Sequence, residues 1–97
     1  MDKQEILGIV RTITDGIRDS GMQYDYAMEA RRCGDTALAE MHLLEMQKRL
    51  NGVQEWYKKT MSMMSNDIEL DTLSEALIQD YMDRYRDLVR KLDSAKQ

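Results

Sequence analysis

The sequence predicts an all-α protein: an antiparallel up-and-down bundle of three long helices, completed by dimerisation. Three observations lead there. The 97-residue chain contains no proline, so the commonest helix breaker is missing. Apolar residues recur three and four positions apart along most of the chain, which is the period of a helix face. A single strong turn signal, Cys33-Gly34-Asp35-Thr36, splits that pattern near its first third.

The first helix is read from Ile6, Val10, Ile13 and Ile17, with Tyr24, Ala27 and Arg31 continuing on the same phase. Gly16 and Ser20-Gly21 interrupt it, and each glycine inside a helix costs up to about 1 kcal/mol. A break near Gly21 is therefore an open alternative, although the phase carries across the glycine and favours one continuous helix. The turn follows. Gly34 suits the left-handed residue that ends a helix, and the Asp35 carboxylate can accept from the unpaired N–H groups of the next one. So short a connection makes the second helix run back beside the first.

From Thr36 to about Met64 the second stripe reads Ala39, Leu43, Met46, Leu50, Val53, Tyr57, Thr60 and Met64, a seam against a neighbouring helix. At 1.5 Å per residue this helix spans roughly 40 Å. In its N-terminal half Ala37, Leu38, Met41 and Leu44 occupy the other faces, so apolar surface almost encircles it. A helix apolar all round is normally covered all round. The expectation is a second subunit docking on Leu38, Met41, Leu44 and the adjacent Glu45.

The third helix is expected to start at Ser65-Asn66-Asp67 or at Thr72-Leu73-Ser74-Glu75, the latter spaced as a capping box. Leu70, Leu73, Leu77, Tyr81, Leu88, Leu92 and Ala95 form its stripe, widened by Ile78, Met82, Tyr85 and Val89. Acidic residues collect at its start and basic ones at its end, as the helix dipole favours.

Composition bounds the function. The length fits one domain over residues 1–97, and a chain this small buries only about two-thirds of its unfolded surface. Nine methionines and no phenylalanine give an adaptable core. A net charge of −4 repels phosphate backbones, and Arg31-Arg32 and Lys58-Lys59 are too isolated to form a basic patch, so no nucleic-acid partner is expected. The single cysteine, Cys33, fits a reducing compartment. With a polar N-terminus and no apolar run near the roughly 20 residues that cross a bilayer, the expected location is the cytoplasm, with no membrane partner.

Few residues suggest chemistry. His42, the one histidine, shares a helix face with Glu45, a pairing that can ligate a metal, and Glu29 could approach from the first helix. Asp67, Glu69 and Asp71 open like a calcium loop, but Thr72 and Ile78 stand where it needs glycine and glutamate. Met61, Met63 and Met64 fit the filling of a helix end better than a cuprous site. Cys33 beside Arg31 and Arg32 lacks a nearby base. No phosphate loop, catalytic triad or paired cysteine motif is present, so neither an enzyme nor a cofactor is expected.

Residues 24–46, with Ala27, Ala30, Gly34-Asp35 and Leu38-Ala39, resemble the helix pair of rubrerythrin-type ferritin-like proteins, in which a Gly-Asp turn joins two bundle helices. That family's Glu-x-x-His ligand pair would fall on Lys48 and Asn51, which departs from the pattern. The resemblance implies, as the alternative function, a metal site using Glu29, His42 and Glu45, with a symmetry mate able to complete it. The leading expectation is self-association and binding of another protein.

Overall fold

The chain reverses direction at Gly34, whose φ of +80° lies in the left-handed region open mainly to glycine. The Gly34 N–H donates to the Arg31 carbonyl at 3.0 Å and the Asp35 N–H to the Ala30 carbonyl at 2.9 Å, the paired bonds of a Schellman end. One residue later the next helix is capped: Asp35 Oδ1 accepts from the Leu38 N–H at 3.1 Å. Both halves of the expected turn are therefore present, and local side-chain chemistry accounts for them.

The computed structural model describes residues 3–64 and 72–96, apart from the side chains of Lys3, Ile6, Met63, Met64 and residues 72–75. Helices α1 (Lys3–Arg32), α2 (Thr36–Met64) and α3 (Thr72–Lys96) make up almost all of it, and no strand occurs among the described residues. The fold is the expected all-α bundle. Helix α1 runs unbroken through Gly16 and Gly21, so the break near Gly21 does not occur. The cap candidates Ser65-Asn66-Asp67, the acidic run Asp67, Glu69, Asp71 and the capping-box side chains lie outside the described residues.

Order in space follows from contacts at one end. The Arg31 guanidinium at the close of α1 donates to the Ala95 carbonyl at the close of α3, while Lys96 Nζ donates to Gln47 Oε1 on α2 at 3.0 Å. Helix α3 is thus parallel to α1 and antiparallel to α2, and the molecule measures 51 × 21 × 19 Å. Helix α1 approaches α2 along much more of its length than it approaches α3, and α2 meets α3 least.

Small residues explain the intimacy of α1 and α2. A Cβ built on Gly16 would stand 2.5 Å from Val53 Cγ2, so the valine occupies the space that the glycine leaves. Ser20, Ala27 and Ala30 of α1 and Ala39 of α2 are also buried. The hydroxyls that this packing buries satisfy themselves within their own helix: Ser20 Oγ donates to the Gly16 carbonyl at 2.7 Å and Thr60 Oγ1 to the Trp56 carbonyl at 2.8 Å.

The core joins Ile9, Ile13 and Ile17 to Leu43, Met46, Leu50 and Val53 and to Leu88, Leu92 and Ala95. The α2 stripe is buried as read from Ala39 to Thr60, with Tyr57 half-buried, and the side chain of Met64 lies outside the described ones. On α1 and α3 the stripes rotate slightly. Ile9 is buried and Val10 half-buried, Ala30 is buried and Arg31 exposed, so Arg31 is not a core position. On α3, Ile78 and Met82 are buried, whereas Leu77 is exposed.

Ion pairs add little. Among the described residues the pairs run mostly three or four positions along one helix, and Asp19–Arg49 at 3.2 Å joins two helices. Exposed pairs of this kind contribute about 0.2–1 kcal/mol each, less than one buried leucine at about 1.5–3 kcal/mol.

Tyr85 packs against the core from α3, and burial raises its phenol above the ordinary 10.0. A phenol raised on folding stabilises the fold fully below pH 10 and loses that contribution as pH climbs through the folded value. Urea midpoints measured from pH 8 to 11 are expected to drop at the alkaline end, and Tyr85→Phe to flatten the drop. An unchanged alkaline slope in the variant contradicts this assignment.

Candidate functional site

The first half of α2 has three kinds of face. Ala39, Leu43 and Met46 point into the bundle and are buried. His42, Glu45 and Arg49 lie on the flank towards α1 and are half-buried. Leu38, Met41 and Leu44 stay exposed, at 40%, 65% and 65%. The exposure has a geometric cause. Helices α1 and α3 contact α2 from the side of its seam; Ala37 and Met41 stand on the opposite side and Leu44 at the edge of the groove towards α3, and all three stay exposed among the described residues.

Farther along the same outer face the sequence turns polar: Lys48, Asn51 and Glu55 follow at helical spacing and are exposed. The apolar patch is therefore confined to the first turns of α2. Tyr26, 48% exposed on α1, extends it sideways, since its ring lies 5.4 Å from the His42 ring at a tilt of 51°.

A polar rim borders the patch. His42 Nδ1 is 2.7 Å from Gln23 Oε1; with the amide oxygen accepting, the neutral ring carries its proton on Nδ1 and keeps its lone pair on Nε2. Arg49 reaches Asp19 Oδ2 at 3.2 Å through Nη1 and Glu45 Oε1 at 3.3 Å through Nη2. Glu45 thus has an arginine partner. Glu29 has another, with Arg32 Nη1 at 3.2 Å and the exposed Cys33 Sγ at 3.9 Å from its other oxygen.

The structure places the three proposed metal ligands in separate settings: His42 with Gln23 and Tyr26, Glu45 with Arg49, and Glu29 with Arg32 at the turn. Among the described residues, no group of three or more histidine, cysteine, aspartate or glutamate side chains stands close enough together to hold a metal ion. By contrast, Leu38, Met41, Leu44 and Glu45 are adjacent and share one accessible surface. No helix of the described residues is long and apolar enough to cross a membrane.

Compared with known proteins, the chain matches no family model, no curated protein and no solved structure. Gln23, Tyr26 and the Asp19–Arg49 bridge are the participants that the sequence did not announce. Each lies on α1, and each meets its partner 16 to 30 residues away on α2, a pairing that a one-dimensional pattern does not contain.

Proposed function

We propose that this chain is a non-enzymatic interaction module that self-associates through the outer face of the first half of α2, centred on Met41 and Leu44. The observation that carries the reading is the exposure of those two side chains, at 65% each, on a face that neither α1 nor α3 covers. In a symmetric pair the same patch serves both copies, so each exposed side chain contributes twice. Tyr26 and Leu38 widen the apolar centre, and Glu45 with Arg49 supplies the charged rim.

Magnitudes set the strength. Full burial of a large apolar side chain contributes about 1.5–3 kcal/mol, so four side chains that are 40–65% exposed, counted in both copies, give on the order of 6–13 kcal/mol. The loss of free movement on association costs about 4 kcal/mol or more. The result is a dimer that dissociates on dilution, with association spread over the micromolar to millimolar range, about −8 to −4 kcal/mol.

Light scattering across that range is expected to give a mass rising from 11.4 kDa towards twice that value. Leu44→Glu, which places a charge in the centre of an exposed patch and leaves the core untouched, is expected to hold the mass at one chain. A wild-type protein that stays at 11.4 kDa at millimolar concentration, or a variant that associates as the wild type does, rejects the proposal.

A further inference from the structure

At the end of the bundle where α1 and α3 finish, α2 is still in its first turns, and the three helices leave an open cleft of about 370 Å³. Leu43 and Ala95, both buried to 6% exposure, form its floor, and Leu44 forms one wall. Arg31 and Lys96 stand at its rim with Gln47 and Glu40. An apolar floor with a few charged groups at one edge is the general build of a small-ligand site.

The two cations are held in place without being neutralised. Arg31 is anchored by donation to the Ala95 carbonyl, and Lys96 by donation to Gln47 Oε1. Neither makes an ion pair among the described residues. A guanidinium offers five N–H donors and an ammonium three, so both retain donors after those bonds. Among the described residues that line the cleft, Glu40 is the one carboxylate, which leaves their side chains with a single excess positive charge in a chain of net charge −4.

The geometry points to this cleft as a binding site for a medium-chain monocarboxylate, its headgroup between Arg31 and Lys96 and its alkyl chain over Leu43, Leu44 and Ala95. Charge and size both select that class. A carboxylate uses the free donors of both cations, whereas a dianion meets Glu40. A volume of 370 Å³ has room for about a dozen water-sized groups, the bulk of an acid with about ten carbons. The cleft lies within a single chain and shares Leu44 with the self-association face, so Leu43 and Ala95, which that face does not include, are the diagnostic positions.

Decanoate, kept below its micelle-forming concentration, is the probe, with decanol as the uncharged control and NMR shifts of the Leu43, Leu44 and Ala95 methyl groups as the readout. Decanoate is expected to give saturable shifts at those methyls, with decanol at least tenfold weaker. Lys96→Gln is expected to weaken decanoate about threefold to tenfold, and Glu40→Gln, which removes the repelling charge, to tighten it. Lys96→Gln tests the rim without touching the Arg31 contact to α3. Equal binding of decanol and decanoate, shifts that centre on Met41 in place of Leu43 and Ala95, or a Glu40→Gln protein that binds no more tightly would each overturn the assignment.

Discussion

Truncation of Leu50 to alanine is expected to lower the free energy of unfolding by about 2–5 kcal/mol, a loss that ranks with those of other fully buried side chains such as Ile13 and Met46. Leu50 has no exposed surface and stands midway along α2, within the cluster to which all three helices contribute. Removing three carbon atoms there leaves a void that the surrounding isoleucines and methionines can close only in part. Domains of this size are stable by roughly 5–15 kcal/mol in total, so a large fraction is lost. Urea unfolding followed by circular dichroism measures it. A loss below about 1 kcal/mol would mean that the core collapses freely around the site, and that α2 is less firmly packed than its burial implies.

The second large effect comes from two glycines of one helix that respond with opposite signs. Gly16→Ala puts a Cβ 2.5 Å from Val53 Cγ2. Either the valine leaves its place or α1 and α2 separate, a change that costs about 1–3 kcal/mol. At Gly21 an added Cβ meets nothing within 4 Å, so alanine there keeps the helical backbone and gains about 0.5–1 kcal/mol. The two glycines lie five residues apart in α1, which makes the pair a controlled comparison. If both substitutions stabilise, the close approach of α1 and α2 at Gly16 is not a constraint on the fold.

That comparison also marks where sequence reasoning stops. Helix phase carried the reading through Gly21, and cap chemistry located the turn at Gly34 and Asp35, because both are local properties of neighbouring residues. Gly16 looked like a simple cost to the helix; its use depends on Val53, which is far away in sequence. The same limit explains the rotated stripes. Adjacent apolar residues such as Leu77 and Ile78 both satisfy the helical period, and the direction from which the other helices approach decides which one is buried. Arg31 continued the α1 phase and still lies outside the core, since its guanidinium can reach the end of α3.

The candidate surface divides in a similar way. The excess of apolar residues at Leu38, Met41 and Leu44 was visible as a departure from an ordinary amphipathic pattern, and these residues are exposed in the single chain. The cluster around His42 was visible only as one histidine near a glutamate. Gln23 and Arg49 fix the actual environment of those two side chains, and neither residue type carries a signal strong enough to nominate it in advance.

The central claim is that a second copy covers the outer face of α2, and isotope-filtered NMR tests it most directly. In an equimolar mixture of ¹³C-labelled and unlabelled protein at millimolar concentration, intermolecular contacts are expected at the methyl groups of Met41 and Leu44 and close to the Tyr26 ring. Intermolecular contacts that avoid these residues, or none at all, would contradict the account.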